Sequence, residues 1–211
     1  MKLKRPDINT EEYWSNNYRK GERGGWWKGS KPLGGIDNFF TKEIICFMTC
    51  HSPNQTKLIE IGSGTGLGGT RILNDFPNLK VYNSDISTYA INIGKEKYPE
   101  IEHICWDSNT DSSKLNLNET FDFLIAQEVL EHLKNPISSL EYMMKLLKIG
   151  GMAFIATPYQ EGMSGGAEHI QTFSYNDIPS LCYKFTDEVT VCNFQPIGVN
   201  LHMGIKFRKT K

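Results

Sequence analysis

From Lys57 onward, short apolar runs alternate with amphipathic stretches, and this rhythm lays out the elements in order. Lys57–Ile61 (K-L-I-E-I) predicts a buried strand, and Leu67–Asp75 a helix stopped by Pro77. Lys80–Ser84 reads as a second strand, Ser87–Lys97 as a helix ended by Pro99, and Ile101–Trp106 as a third strand. A polar loop over 107–120 leads into a fourth strand, Phe121–Ala126. Asn135-Pro136 then caps a helix with Ile137, Leu140, Met144 and Leu147 on its core face. Gly150-Gly151 should end that helix, and Met152–Thr157 is the fifth strand. A short helix near Tyr175–Tyr183 precedes two closing strands, Glu188–Phe194 and His202–Lys209. Alternating units of this kind predict an α/β fold with a mostly parallel sheet and helices on both faces.

Residues 1–50 follow a different pattern. Asn9–Tyr18 has a helix cap followed by aromatic residues at helical spacing, and Asp37–Thr49 resumes that period with Phe40, Ile44, Phe47 and Met48 on one stripe. Between them lies a glycine-rich stretch carrying the adjacent Trp26 and Trp27. The expected division is an N-terminal helical segment over 1–50 and one ligand-binding domain over 51–211.

Composition narrows the function. The formal net charge of −1 supplies no basic field for duplex nucleic acid or an anionic membrane. No window approaches a membrane span, and the first residues have no apolar stretch behind them to make a signal peptide. The five cysteines (46, 50, 105, 182 and 192) form no CxxC pair, which fits reduced thiols in a cytoplasmic protein.

Ligands of such sheets bind beyond the carboxyl ends of the strands. The first of those ends is Glu60-Ile-Gly-Ser-Gly-Thr-Gly-Leu-Gly-Gly69, with five glycines in eight positions. A phosphate-gripping loop needs Gly-Lys-Ser/Thr, and here Gly66 is followed by Leu67-Gly68. A dinucleotide fingerprint can be laid on Gly64, Gly66 and Gly69, with Asp85 at about the expected ~20-residue distance, but it starts out of register with the end of the strand.

Read as E-x-G-x-G-x-G, Glu60–Gly66 resembles the first motif of class I S-adenosylmethionine-dependent methyltransferases. Four further stretches extend the likeness over most of 57–175: Asn83–Ser87, Cys105–Ser108, Phe121–Leu133 and Ile149–Pro158. The Phe121–Leu133 stretch is similar to the branch that includes quinone-biosynthesis O-methyltransferases. The resemblance implies a Rossmann-like, mostly parallel seven-stranded sheet with an antiparallel last strand. It also implies S-adenosylmethionine as cofactor, held by Glu60, Gly62, Gly64, Gly66, Asp85, Ile86, Asp107, Ser108 and Gln127. Asp85 would take the ribose hydroxyls, Ile86 would pack on adenine, and Asp107 would meet its amino group.

Methyl transfer from a sulfonium is an in-line displacement, so the enzyme supplies alignment and, for a hydroxyl acceptor, proton removal. Glu128, Glu131 and His132 share one face if the chain coils there, and His169 follows strand five. The E-x-x-E-H pattern resembles the metal motif of certain catechol and RNA-terminal ribose O-methyltransferases. Two alternatives therefore stand: a divalent metal on Glu128, Glu131, His132 and His169, or a metal-free site in which His169 and His132 act as base or contact the acceptor. Trp26 and Trp27, beside Tyr13, and Tyr159 are the expected cover and substrate contacts. The expected partner is a small molecule methylated at oxygen. An RNA-terminal 2′-O-methyltransferase would want a basic groove, and a non-catalytic cofactor-binding protein would transfer no methyl group.

Overall fold

The computed structural model describes residues 7–24, 46, 48, 56–159, 168–197 and 200–211. The segment with Trp26 and Trp27, most of the expected helix over 37–49 and residues 160–167 lie outside the described residues.

The core grows from β1 (Lys57–Ile61), whose alternation serves both faces of the sheet. Ile59 and Ile61 join one apolar cluster, and Leu58 joins the other. Helix α2 (Leu67–Asp75) buries Ile72 on the Leu58 face. β2 (Lys80–Asp85) and β3 (Glu102–Cys105) extend the sheet on one side, joined by α3 (Thr88–Lys97). β4 (Phe121–Gln127) sends Leu124 and Ala126 to one face and Phe123 and Ile125 to the other, so its central run over 123–126 is continuously apolar. Helix α4 (Pro136–Leu146) leads into β5 (Leu147–Tyr159), and α5 (Asp177–Cys182) precedes β6 (Thr190–Ile197) and β7 (Asn200–Arg208). The seven strands run in the order β3-β2-β1-β4-β5-β7-β6. β1 to β5 pair in parallel, and β7 is antiparallel to both neighbours. This is the expected α/β sheet with its antiparallel last strand.

The order reverses between β1 and β4, which opens a crevice at their carboxyl ends. Helix α1 (Glu11–Gly24), capped by Thr10 Oγ1 on the Tyr13 amide, leans on this edge. The Glu11 carboxylate accepts hydrogen bonds from the Thr88 amide and hydroxyl, and the Ser15 and Ser87 hydroxyls meet at 2.9 Å.

Two expectations at α4 are corrected. The helix ends at Leu146 rather than at Gly150-Gly151, which lie inside β5 where its register with β4 shifts and Gly150 takes φ 82°. The stop comes from distant groups: the Glu119 and Thr120 amides donate to the Lys145 and Leu146 carbonyls, and Lys209 Nζ donates to Met144 O and Leu147 O. These satisfy the free carbonyls at the helix end without a glycine cap. Ile137, expected on the core face, is 45% exposed, and Leu140, Met143, Met144 and Leu146 form that face instead.

Among the described residues no helix is long and apolar enough to cross a membrane, and Cys105, Cys182 and Cys192 form no disulfide with one another.

Candidate active site

The glycine loop takes its shape from three left-handed residues, Gly62, Gly64 and Gly66, at φ 68°, 58° and 92°. A side chain would be doubly excluded at each of them. A Cβ on Gly62 would stand 2.5 Å from Val129 Cγ2, one on Gly64 2.6 Å from the Tyr18 hydroxyl, and one on Gly66 would run into Asn83 Nδ2. The loop therefore offers bare backbone to a cleft of about 640 Å³, its open mouth included, lined by Asp85, Ile86, Asp107, Ser108, Glu128 and His132 among others.

Asp85 ends β2 and is buried. Its Oδ2 accepts from the Gly64 amide and its Oδ1 from the Ser87 amide, both at 2.8 Å. Burial raises its pKa, and the backbone amides of Ser87, Gly64 and Ile86 oppose the rise. A carboxylate has about four lone-pair sites, so acceptor capacity remains for a ligand's hydroxyl. Ser87 Oγ caps α3 through the Ala90 amide, which leaves Asp85 clear of that duty. Asp107 Oδ1 accepts from both the amide and the side chain of Asn109, next to the buried Ser108.

Glu60 and Gln127 lie elsewhere. The buried Glu60 sits on the α2 side of β1, against Gly68 and the Gly69 amide, where it braces the loop from behind. Burial pushes its pKa up to about 7, with the Gly69 hydrogen bond opposing and the Asp85 charge adding to the rise. Gln127 pairs with Ala156 at the end of β4, and its successors Glu128 and Val129 reach the cleft.

Glu128 takes φ 53° instead of coiling on, and its Oε2 lies 3.4 Å from His202 Nε2 on β7. The expected four-residue cluster is thus reduced to three: ligand atoms of Glu131, His132 and His169 lie within 4.8 Å of one another. Glu131 is buried, with Oε2 accepting from Thr157 Oγ1 at 3.1 Å and Oε1 3.7 Å from His132 Nε2. His132 Nδ1 donates to the Glu168 carbonyl at 2.9 Å, which places the neutral ring's lone pair on Nε2. Burial lowers its pKa, with the Glu168 hydrogen bond opposing and His169 adding to the fall. The His169 ring stands edge-on to His132 at 5.0 Å.

Helix α1 covers this edge with residues the sequence reading passed over. Trp14 and Tyr18, one turn apart, line the cleft, and Trp14 packs edge-on against His132 at 5.1 Å. Their spacing was visible; their direction was not. Tyr18 is half-buried, and desolvation together with the Asp85 and Glu60 charges raises its pKa well above its usual value. Tyr13 and Asn17 hydrogen-bond the Glu168 carboxylate at 2.9 and 2.7 Å, which ties α1 to the segment after β5. Tyr159 ends β5, packed in the core against Tyr175.

Residues 59–153 match the family model described as "Methyltransferase domain". The chain is 26% identical over 106 residues to a malonyl-[acyl-carrier protein] O-methyltransferase of Ilyobacter polytropus, covering 50% of this chain and 39% of that protein. It is 24% identical over 163 residues to the phosphoethanolamine N-methyltransferase of Plasmodium falciparum, covering 74% of this chain and 59% of that one. The chain thus spans well under two thirds of the length of these relatives. A solved structure of Burkholderia thailandensis 1,6-didemethyltoxoflavin-N1-methyltransferase, with its substrate and S-adenosylhomocysteine bound, shares the fold at a TM-score of 0.70 and 14% identity. That likeness covers 99% of this chain and 94% of that one. Residues 59–153 thus match a methyltransferase domain, and the chain shares the fold of a methyltransferase solved with S-adenosylhomocysteine bound.

Proposed function

We propose that the protein transfers a methyl group from S-adenosylmethionine to a hydroxyl oxygen of a small metabolite such as a sugar, a glycan precursor or a phenol. The cofactor's residues fit the cleft: Asp85 keeps acceptor sites for ribose hydroxyls, and the loop over Gly62–Gly66 offers bare main chain. Ile86, Asp107 and Ser108 line the adenine side. When bound, the cofactor supplies a methyl group on a cationic sulfur, open to in-line attack. The chain must then align the acceptor, exclude water and take the acceptor's proton.

The observation that carries the oxygen reading is His132. It lines the cleft, its Nδ1 is fixed on a carbonyl, and burial keeps the ring neutral with its lone pair on Nε2. A hydroxyl must lose its proton as it attacks, and a neutral imidazole is the side chain suited to take it. His169, packed edge-on, positions His132 or shares the work. Helix α1, with Trp14 and Tyr18, acts as the cover that keeps water from the transfer. The test is transfer of label from methyl-tritiated S-adenosylmethionine to a small-molecule cell extract. Labelled product with the native chain and none with His132→Ala is the expected result; a product at undiminished rate in the variant overturns the base assignment.

One observation favours a second reading, the mutual approach of Glu131, His132 and His169 within 4.8 Å. A divalent ion held there would replace the base by binding the acceptor oxygen directly. Prolonged EDTA treatment separates the two: turnover survives chelation if the imidazole acts as base and vanishes if a metal does the work.

A further inference from the structure

Glu128 stands where the regular structure gives way. Its amide still donates to Ala156 O at 3.0 Å, continuing the β4–β5 ladder past Gln127, yet its own φ is 53°, a conformation uncommon outside glycine. The turn moves its carboxylate out of the Glu131–His132–His169 group and over to the buried His202, 3.4 Å away on β7. Its other oxygen, Oε1, is enclosed and meets no hydrogen-bond donor among the described residues. The side chain remains 35% exposed where it lines the cleft beside Gly62 and His132. A left-handed backbone, a buried partner from a distant strand and a carboxylate side chain still partly exposed to the cleft together describe a group held to face a donor from outside the chain.

The charge around it limits that donor. Asp85, Asp107 and Glu128 all line this cleft. The cationic cofactor is served by the first two, at the carboxyl ends of β2 and β3, while Glu128 lies at the His132 end. An acceptor with a carboxylate or phosphate at that end would set like charges at contact distance.

We infer that Glu128, held by His202, recognises the methyl acceptor by taking a hydrogen bond from a hydroxyl or amine next to the atom methylated, and excludes acceptors with an anionic group at that place. This rests on the methyltransferase reading and deepens it by naming the substrate class. Free carboxylates, the malonyl thioester of a carrier protein included, fall outside that class.

The experiment incubates the full chain with methyl-tritiated S-adenosylmethionine and a small-molecule cell extract, and identifies the labelled product by mass spectrometry and NMR. A malonyl thioester of acyl-carrier protein is tested in parallel. A hydroxyl or amine on the carbon adjacent to the new methyl site is the expected result. Glu128→Gln should raise KM at least tenfold with kcat changed less, and affinity for S-adenosylhomocysteine should stay within twofold. Glu128→Asn, which tolerates the left-handed backbone, should behave alike, and Glu128→Arg should lose the native acceptor altogether. A methyl ester product, methylation of the malonyl probe, or unchanged KM in both neutral variants overturns the assignment. Absence of labelled product from every acceptor overturns the methyltransferase reading itself, and the acceptor assignment with it.

Discussion

Replacing Glu60 with glutamine should remove a pH dependence that the wild-type chain carries. Glu60 is buried behind the glycine loop, where desolvation, opposed by the Gly69 amide and reinforced by the Asp85 charge, lifts its pKa from 4.5 to about 7. A folded-state pKa above the unfolded value means that the native protein binds the proton more tightly. The resulting stability is fully present below pH ~4.5 and is lost as pH rises through about 7. A gap of roughly 2.5 units at ~1.36 kcal/mol each amounts to about 3 kcal/mol across that window. Glutamine has the size of the protonated acid and does not titrate. Urea unfolding of both proteins from pH 5 to 8 gives the difference in stability at each pH. That difference should drift in the variant's favour by up to about 3 kcal/mol as pH rises. Parallel curves for the two proteins would refute the burial argument, because an exposed Glu60 would titrate alike in the native and unfolded states.

His132→Gln should lower turnover by roughly 10²-fold while S-adenosylhomocysteine still binds, because glutamine can donate a hydrogen bond but cannot take the proton. The acid limb of kcat/KM in the native enzyme should lie below the ordinary histidine value of 6.5, since burial favours the neutral ring; a limb above it would contradict the His132 assignment. His169→Ala should also cost turnover with little change in cofactor affinity, and near-native turnover in His169→Gln would mean that His169 acts by position. Lys209→Met removes the two hydrogen bonds that close α4 at Met144 O and Leu147 O and should cost about 2 kcal/mol in urea unfolding; a loss under ~0.5 kcal/mol would show that these bonds do not set the helix end.

The sheet was legible because its rules are local. The run Phe123–Ala126 is apolar throughout since both faces of β4 are covered there, and the strand-to-helix rhythm from Lys57 needed little else. The glycines at 62, 64 and 66 announced a backbone that side chains would block, and the structure shows the blocking atoms on Val129, Tyr18 and Asn83. What was not legible depends on distant partners. The end of α4 is set by Glu119, Thr120 and Lys209, none of them within the helix. Glu128 shared a helical spacing with Glu131 and His132, and one left-handed φ redirected it to a histidine 74 positions away in sequence, 202 against 128. Glu60 read as a cofactor contact because its motif names it, yet the two-residue period of β1 sets it on the side of α2. The aromatic spacing in α1 was plain, but which of Tyr13, Trp14 and Tyr18 turned to the cleft depended on how the helix docks against Ser87 and Thr88.

The central claim, that the cleft between β1 and β4 holds S-adenosylmethionine through Asp85, is tested most directly by calorimetry. The native chain should bind S-adenosylhomocysteine with one-to-one stoichiometry and show no heat with NADH. Asp85→Ala removes the acceptor of the ribose hydroxyls, and at about 1.5 kcal/mol or more for a hydrogen bond to a charged group the affinity should fall at least tenfold in a protein that remains folded. Unchanged affinity in the folded variant, or micromolar binding of NADH by the native chain, would contradict the account.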